Sequence, residues 1–313
     1  MKNSVLLIDK IKKEAEKLGF FKIGFTRPES LDNGKFLKDW IDAGFNSKMK
    51  WIEKSFDKRI NPKILYPEVK TIISAAISYF FEIGQKGVPE TGKISRHALG
   101  DDYHIAVKEK LKKLLNYIKK EEKNADGKIF VDSSPVMEKI WAVKGGIGWI
   151  GKNSLLITRE AGSWIFLGEI FLNIELNIDN PYLQDFCGKC KKCIDACPTG
   201  AIVKPRVVNA EKCISCLTIE HKGEIPESLK PKIGSWIYGC DICQEVCPWN
   251  KFSTATTEKR FFPKQMNLNI NLTEFYNISD KEFNKRFQSS SIRRLKLTGF
   301  KRNVRIALEN LKK

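Results

Sequence analysis

The nine cysteines of the chain are concentrated in one region, and most of them stand in two runs. The first run reads CGKCKKCIDACPTG over residues 187–200 and places four cysteines, the last directly before a proline. This C-x2-C-x2-C-x3-C-P spacing is typical of bacterial ferredoxins, in which the fourth cysteine of a run ligates a second [4Fe-4S] cluster. The pattern therefore demands a partner run, and the segment CDICQEVCPWN at 240–250 repeats its end.

The spacing predicts two interleaved sets of cluster ligands. The first cluster is assigned to Cys187, Cys190, Cys193 and Cys247. The second cluster is assigned to Cys197, Cys213, Cys240 and Cys243, with Cys213 replacing the cysteine that the second run lacks. Cys216 is left over. Two zinc sites are the alternative, because C-x2-C pairs also suit tetrahedral zinc, but zinc does not explain the three-cysteine run or the two Cys-Pro endings.

Asp132 follows the apolar run KIFV and precedes residues 133–144, which are predicted to form a helix with Ser133 or Ser134 as its N-cap. The aspartate has two interpretations. It caps this helix and stabilises it by about 1 kcal/mol, or it is an acid at the end of a strand above a pocket. A free aspartate has a pKa near ~3.9, so an acid role at neutral pH requires a site that disfavours its charge.

Two further patterns are typical of cofactor binding but are incomplete. Asp102 and His104 begin a D-x-H cobalamin-ligand pattern, yet Val107 stands where that pattern has glycine, so His104 is interpreted as a structural histidine. The segment GGIGWIG at 145–151 contains a G-x-G-x-x-G match. A dinucleotide site needs a strand before these glycines, whereas a helix is predicted there. They are therefore expected to form a tight turn or to lie against a flat ligand.

Three segments of different composition follow one another along the chain. Residues 1–180 alternate helical patterns with apolar, β-branched runs, which predicts an α/β (α+β) domain with a mixed or antiparallel sheet. Residues 181–253 hold every cysteine and are predicted to form a ferredoxin-like module with two [4Fe-4S] clusters. Residues 254–313 are predicted to be a short, basic, helical C-terminal segment.

The formal net charge of +18 favours a polyanionic partner. Residues 293–313 contain eight basic residues and one acid around a predicted break at Gly299 between two short helical patterns, and they are candidates for nucleic-acid contact. The lysines of residues 108–123 are interpreted differently, as the solvated face of a helix. The predicted buried stripe of that helix is Leu111, Leu114, Leu115 and Ile118.

The N-terminus has the pattern of an amphipathic helix and lacks the uninterrupted apolar stretch of a signal peptide. No stretch approaches the ~18 apolar residues of a membrane span. The sequence therefore predicts a cytoplasmic protein without membrane contact, in a compartment where thiols stay reduced and clustered cysteines bind metal.

Four segments together resemble the epoxyqueuosine reductases, the cobalamin-dependent enzymes of the last step of queuosine formation in tRNA. They are VDSSPVMEKIWAVKGGIGWIGKNSLLI (131–157), CGKCKKCIDACPTGAI (187–202), CISCLTIEHKGEIP (213–226) and IYGCDICQEVCPWN (237–250). The resemblance implies a base-off cobalamin in the N-terminal domain, two [4Fe-4S] clusters, and Asp132 as proton donor. The chain departs from the family pattern at Cys216, where the family usually has tyrosine, and at the C-terminus, where many members continue into helical repeats.

The resemblance also implies the other site residues. The residues expected to line the cobalamin are Arg59, Ser95, Arg96, Asp132, Lys152, Asn153, Ser154 and Leu156. The residues expected to contact tRNA are Lys222, Arg293, Arg294, Lys301 and Arg302. The implied partners are a tRNA bearing epoxyqueuosine and an external electron donor, of the flavodoxin or ferredoxin kind or of unknown type, and the protein is expected to be a monomer.

The implied reaction is the deoxygenation of an epoxide to an alkene, which takes two electrons and releases the oxygen as water. It needs an electron source, a nucleophilic or radical-forming metal and an acid, and the cysteines, the implied cobalamin and Asp132 would supply them. Two other functions remain as alternatives. They are another corrinoid and iron–sulfur reductase of the reductive dehalogenase kind, and a ferredoxin-type electron carrier.

Overall fold

The computed structural model describes residues 2–31, 34–82, 91–182, 184–268 and 270–312. Its helices are α1 (Lys2–Lys17), α2 (Lys35–Asp42), α3 (Lys50–Lys54), α4 (Phe56–Ile60), α5 (Pro62–Leu65), α6 (Tyr103–Glu121), α7 (Glu138–Lys144), α8 (Lys192–Asp195), α9 (Ile214–Ile219), α10 (Lys230–Ile233), α11 (Ile242–Glu245), α12 (Leu272–Tyr276), α13 (Asp280–Arg286) and α14 (Lys296–Leu311). Its strands are β1 (Lys22–Thr26), β2 (Thr71–Ser78), β3 (Thr91–Ile94), β4 (Gly127–Phe130), β5 (Trp149–Ile150), β6 (Leu156–Ile157), β7 (Ile165–Leu172), β8 (Ile202–Lys204), β9 (Val207–Val208), β10 (Trp236–Tyr238) and β11 (Ile270–Asn271).

The main sheet has four antiparallel strands in the order β1-β2-β7-β4. The strands β2 and β7 lie in its centre and are buried along nearly their whole length, which explains their continuous apolar sequence. The α/β class and the antiparallel sheet are as the sequence predicts.

Helices α1 and α6 cover one face of this sheet and form the first hydrophobic core with it. The predicted stripe of α6 is confirmed, because Leu111, Leu114, Leu115 and Ile118 are all buried. Gly168 on β7 permits this close packing, since a Cβ there would lie 2.7 Å from the Cδ1 of Leu111.

Helix α7 covers the opposite face of the sheet, where Trp141 packs with Phe171 and Ile72. A Cβ at Gly24 would lie 1.9 Å from the carbonyl oxygen of Gly145, so the end of α7 approaches β1 at a point where only glycine fits. This contact fixes how closely the C-terminal end of α7 lies against β1.

A second sheet, in the order β10-β3-β11, joins segments that are far apart in sequence. Its central strand β3 pairs in parallel with β10, near the second cysteine run, and antiparallel with β11, from the C-terminal segment. Phe81, Ile237, Phe283 and Phe300 are buried in the same second hydrophobic core. The three segments predicted from composition therefore share one sheet and one core.

Two local predictions were wrong. Helix α7 begins at Glu138 rather than at residue 134 or 135, and its N-cap position is Met137, without a side-chain cap. Helix α14 runs through Gly299 without a break, and the chain turns sharply before it, where Lys296 has a φ of 57°. The helix is continuous because its apolar residues pack into the second core, which outweighs the low helix propensity of one glycine.

The glycine-rich segment forms a hairpin in which β5 pairs antiparallel with β6. A Cβ at Gly148 would lie 2.1 Å from the carbonyl oxygen of Ile157, so this glycine is required by the tight turn. Helix α7 precedes the glycines, so the strand that a dinucleotide site requires is not there. Among the described helices, none is long and apolar enough to cross a membrane.

Candidate active site

The predicted second ligand set lines a cavity between the main sheet and the cysteine-rich segment. We call it the central cavity, with a volume of about 490 Å³. The thiols that border it are those of Cys197, Cys213, Cys240 and Cys243. They come from the end of the first run, the N-cap of α9 and the start of the second run, and all are free thiols.

The predicted first ligand set lines a different cavity, which we call the outer cavity, of about 260 Å³. Its thiols are those of Cys187, Cys190, Cys193 and Cys247. The chain therefore brings Cys247 to the first run and Cys197 to the second, the crossing over that the spacing predicts. Cys216 is among the described residues that line neither cavity.

The four thiols of each set line a cavity and do not converge on the position of a single metal ion. Within the part of the chain that the structure describes, no three His, Cys, Asp or Glu side chains are arranged to hold a single metal ion. A [4Fe-4S] cluster takes one thiolate at each of its four iron atoms, so four thiols around an enclosed space are the arrangement that such a cluster needs.

Asp132 lies at the edge of the central cavity, on the loop between β4 and α7, with a φ of 49°. Its Oδ2 accepts hydrogen bonds from Tyr103 Oη at 2.9 Å and from His104 Nε2 at 3.0 Å. The carboxylate caps no helix, because α7 begins six residues later. The capping interpretation of Asp132 is therefore wrong, and its carboxylate is instead held by the first turn of α6.

The environment of Asp132 favours its charged form. Although 46% of the side chain is accessible, the surrounding protein desolvates the carboxyl group and by itself would raise its pKa. The hydrogen bonds from His104 and Tyr103, together with the charges of His104 and Arg294, outweigh that effect and hold the pKa of Asp132 below its usual value. The expectation that the site disfavours the charge of Asp132 is thus not met.

The proton of this group of residues lies on His104. Burial lowers the pKa of its imidazole, but hydrogen bonds to Asp102 and Asp132 and the charges of both carboxylates raise it to about 9. Its Nδ1 lies 2.6 Å from Asp102 Oδ1, and Asp102 also caps α6. Both ring nitrogens therefore donate to carboxylates, and the interpretation of His104 as a purely structural residue misses its contact with Asp132.

Five of the eight residues expected to contact cobalamin line the central cavity, namely Ser95, Asp132, Asn153, Ser154 and Leu156. The apolar side chains of Ile165, Phe166 and Ile202 form part of its wall. Ser154 Oγ is buried and has no hydrogen-bond partner among the described residues. An unpartnered hydroxyl on an apolar wall, beside four thiols, fits a large cofactor that accepts a hydrogen bond.

The other three expected cobalamin contacts are not among the described residues that line the cavity, and each has hydrogen-bond partners of its own. Lys152 Nζ donates to the carbonyl oxygens of Gly188 and Cys190, so it holds the loop of the first run. Arg96 donates to the carbonyl oxygen of Phe81 and lies over the ring of Trp164. Arg59 Nε donates to Ser55 Oγ.

A larger groove of about 1110 Å³ lies between α3, the loop after α9 and the start of α14. We call it the basic groove, and its basic residues include Lys48, Lys222, Arg294, Lys296, Lys301 and Arg305. Trp51 adds an aromatic surface. Three of the five expected tRNA contacts, Lys222, Arg294 and Lys301, are thus brought together. Arg293 is exposed but is not among the described residues that line the groove.

Arg302 does not fit the expected role, although it borders the groove. It is only 8% exposed, and its guanidinium donates to the carbonyl oxygens of Leu217, His221 and Gly223 and to Asn303 Oδ1. These bonds use all of its N–H donors. Arg302 therefore fixes α14 on the cysteine-rich segment and has no donor left for a phosphate.

Comparison with known proteins places the chain. Residues 59–133 match the family model Epoxyqueuosine reductase QueG, DUF1730, and residues 186–250 match the model of a 4Fe-4S double cluster binding domain. The epoxyqueuosine reductase of Cellulophaga algicola is 43% identical over 297 residues, which are 95% of this chain and 96% of the relative. That of Escherichia coli is 41% identical over 309 residues, 97% of this chain and 81% of the relative. The chain belongs to the epoxyqueuosine reductase family.

Solved epoxyqueuosine reductases have the same fold. One, determined with an epoxyqueuosine-modified stem loop of tRNA-Tyr, is 33% identical with a TM-score of 0.93, covering 99% of this chain and 82% of the other. The enzyme from Bacillus subtilis is also 33% identical, with a TM-score of 0.92 over the same shares. The double-cluster match and the nine cysteines support two [4Fe-4S] clusters in this member of the family.

Sequence reasoning missed several residues of this epoxyqueuosine reductase site. Tyr103 and His104 contact Asp132 from a helix that begins 29 residues earlier, and neither the spacing nor the composition indicates that contact. Lys48 and Trp51 reach the basic groove from the N-terminal segment. The only available signal was the short aromatic and basic segment KMKW at 48–51, which stands in a polar stretch.

Proposed function

We propose that this chain reduces epoxyqueuosine to queuosine in the anticodon loop of tRNA. Electrons pass through two [4Fe-4S] clusters to a cobalamin in the central cavity, and Asp132 delivers a proton there. One observation carries the proposal: Asp132 and four free thiols line the same cavity, so an acid and an electron-transfer group serve one reaction space.

The substrate class is supported by the basic groove and by a relative. An epoxyqueuosine reductase of the same fold has been solved with an epoxyqueuosine-modified tRNA stem loop. In this chain, phosphates of the stem loop bind the lysines and arginines of the basic groove, an interaction that weakens with salt. Arg294 lines the groove, and its charge helps to lower the pKa of Asp132 at the edge of the central cavity.

Cobalamin is proposed for the central cavity because the unpartnered Ser154 Oγ and the apolar wall fit a large ligand. Ser95, Asn153, Ser154 and Leu156 would hold it. When bound, cobalamin would supply a reducible cobalt ion for the reduction of the epoxide. Cys197, Cys213, Cys240 and Cys243 line the same cavity, so they would hold an electron-transferring cluster beside it.

Proton delivery involves two residues rather than one. His104 carries the proton at neutral pH, and Asp132 accepts its hydrogen bond at the edge of the cavity. Asp132 thus passes on a proton that it draws from His104. The Bacillus subtilis relative has been solved with the loop of its catalytic aspartate swung out of the active site, which is consistent with an aspartate on a movable loop.

The test is an anaerobic reaction of the purified protein with tRNA that bears epoxyqueuosine, with cobalamin and a chemical reductant present. Queuosine in the digested tRNA is measured by mass spectrometry, and iron and cobalt are measured in the protein. Product that depends on cobalamin supports the proposal, and the same tRNA without reductant is the control. A protein that binds cobalt but leaves the tRNA unchanged would indicate another corrinoid reductase, and one that binds iron alone an electron carrier.

A further inference from the structure

Glu169 is a carboxylic acid in the centre of the main sheet. It is 0% exposed, and neither of its carboxyl oxygens has a hydrogen-bond donor among the described residues. It stands on β7 opposite Ser74 of β2 and Phe130 of β4, on the face that α7 covers. A buried carboxylate without a donor is strongly disfavoured, so this group is held in its protonated form.

The carboxyl group that faces Glu169 is that of Glu138, in the first turn of α7. Two ionised carboxylates offer acceptors only, so the contact becomes a hydrogen bond when one of them carries a proton. Burial, followed by the charge of Glu138, raises the pKa of Glu169 well above its usual value. Burial and the charge of Asp132 raise the pKa of Glu138 above its usual value.

Glu138 also reaches the reaction space. It lines the central cavity, and its Oε1 accepts a hydrogen bond of 2.5 Å from the backbone N–H of Asp132. The other charged groups that face the pair are Asp132 itself, Lys139 on α7 and Arg59 on α4. Glu138 therefore connects a buried acid on one side with the cavity on the other.

The stoichiometry of the reaction requires a second proton in addition to the one that His104 and Asp132 hold. Converting an epoxide to an alkene breaks two C–O bonds, forms one C–C π bond and two O–H bonds, and so consumes two electrons and two protons per water released. The reductant of the proposed function supplies the electrons. His104 and Asp132 hold one proton, and the second must come from another group or from solvent.

We propose that Glu138 and Glu169 share one proton and that Glu138 delivers it into the central cavity as the second proton of the reaction. Glu138 acts on the oxygen that leaves as water, and Glu169 acts only through Glu138, as the store that keeps the shared proton out of solvent. After turnover the pair is left with two negative charges and takes up a proton again through Glu138. The role of Glu138 in the reaction rests on the proposed function. The protonation of the Glu138–Glu169 pair does not depend on it.

The first experiment needs no activity. The infrared spectrum of the purified protein should contain the carbonyl band of a protonated, buried carboxyl group at pH 6, and Glu169→Gln should remove it. Glu175→Gln is the matched control, because Glu175 follows on the same segment and is exposed. Asp241, a buried carboxyl group whose pKa is raised to about 6, can leave a residual band in both proteins. The shared proton is overturned if the parent has no band or if Glu169→Gln does not reduce it.

The second experiment measures single-turnover queuosine formation between pH 5.5 and 8.5. In the parent, the rate should fall as the pH rises through the range in which the pair loses its proton, because burial and the charge of Asp132 raise the pKa of Glu138 above its usual value. Glu169→Gln keeps the shape and cannot hold a proton, and its N–H donates permanently to the Glu138 carboxylate, which favours the charged form of Glu138. The pH at which the rate falls should therefore be lower in this variant than in the parent. At neutral pH its rate should be ~10²-fold lower, which is within the range typical of a lost acid–base group.

The outcomes separate this inference from the proposed function. If the parent forms queuosine and Glu169→Gln has the same rate and pH profile, the second proton does not come from the pair, and the proposed function still holds. If the parent forms no queuosine, the proposed function fails, while the infrared band still decides whether the pair is protonated. An equal decrease in Glu175→Gln would assign the effect to net charge and overturn the proposal.

Discussion

Asp132 and His104 form an ion pair in which the imidazole holds the proton. Tyr103, the second hydrogen-bond donor to Asp132, is held in place by stacking on Phe166, with 4.2 Å between the ring centroids. The carboxylate is thus oriented before any substrate arrives. Its backbone φ of 49° lies in the left-handed region, where asparagine and aspartate are favoured over most residues. Asparagine is therefore the substitution at this position that disturbs the backbone least.

We expect Asp132→Asn to lose ~10²- to 10⁴-fold in the rate of queuosine formation, because an amide cannot pass on a proton. The amide oxygen can still accept from Tyr103, and no helix loses a cap, so the variant should fold and should lose only the part of the His104 stabilisation that the Asp132 charge provides. The measurement is single-turnover product formation, with iron content and thermal unfolding as controls. Near-parental turnover would remove Asp132 from the chemistry.

His104 makes the stability of the protein depend on pH. Its pKa is raised to about 9 in the folded protein from 6.5, so the folded state binds the proton more tightly. The resulting stability is fully present below pH 6.5 and is lost as the pH rises through about 9. One pKa unit is worth about 1.4 kcal/mol, so the free energy of unfolding should fall by ~3 kcal/mol over this window.

His104→Gln should abolish that dependence, since glutamine does not titrate. The measurement is anaerobic urea unfolding at several pH values, and the useful quantity is the difference between parent and variant. We expect this difference to be largest near pH 6 and to shrink towards pH 9. A difference that does not change with pH would mean that folding leaves the pKa of His104 at its ordinary value.

The interleaving of the cysteines can be tested with pairs of substitutions. The parent should bind about eight iron atoms, four in each [4Fe-4S] cluster. Cys190 and Cys247 line the outer cavity together, so Cys190→Ser and Cys247→Ser should each remove about four, and the double variant should lose no more. Cys243→Ser with Cys247→Ser should remove both clusters, because Cys243 lines the central cavity.

The reverse pattern, with the pair from the second run losing one cluster only, would contradict the interleaved assignment. Cys216→Ala is the control, because Cys216 lines neither cavity and should keep the full iron content. Iron analysis and the visible spectrum of anaerobically prepared protein give the answer without any assay of activity.

At the scale of elements, the start of α14 and the loop after α9 form opposite sides of the basic groove. Arg302 holds them together from inside, so the charges that face the groove are those of its neighbours. Lys222 and Lys301 line the groove from these two elements, and no ion pair engages their ammonium groups among the contacts of the described residues.

We expect Lys222→Glu with Lys301→Glu to weaken binding of the tRNA stem loop and to reduce the salt slope by roughly one unit for each phosphate that the variant no longer binds. The matched control is Lys113→Glu with Lys120→Glu, which changes the net charge equally on the exposed face of α6. Binding is measured by fluorescence anisotropy at several salt concentrations. Equal effects of the two double variants would mean that tRNA binding depends on the net charge of the protein and not on the basic groove.

The periodicity of the sequence predicts some elements well and others poorly. The apolar stripe of α6 and the presence of a mixed or antiparallel sheet in residues 1–180 are predicted because burial imposes a pattern along a single element. The start of α7 and the continuity of α14 through Gly299 are not, because packing against β1 and the second core decides them. The contact between His104 and Asp132 joins two elements, and no local pattern records it.

At the scale of the whole molecule, the cysteine-rich segment is built into the fold. Strand β3 of the first segment pairs with β10 and β11, and Ile94 and Ile237 share the second core with Phe300 of α14. The central cavity lies between these parts, so its geometry depends on both cores. The clusters, the acid and the groove are therefore positioned by one cooperative unit.

This arrangement predicts that a destabilising substitution in either core affects both the main sheet and the cysteine-rich segment. Ile237 in the second core and Ile170 in the first are both 0% exposed, and each change to alanine should cost about 2–5 kcal/mol. Anaerobic unfolding is followed by far-UV circular dichroism for the backbone and by visible absorbance for the clusters. If the cores are coupled, Ile237→Ala and Ile170→Ala each shift both signals to lower urea by the same amount. Independent modules would respond differently: Ile237→Ala would shift the absorbance alone, and Ile170→Ala would leave the clusters at their parental midpoint.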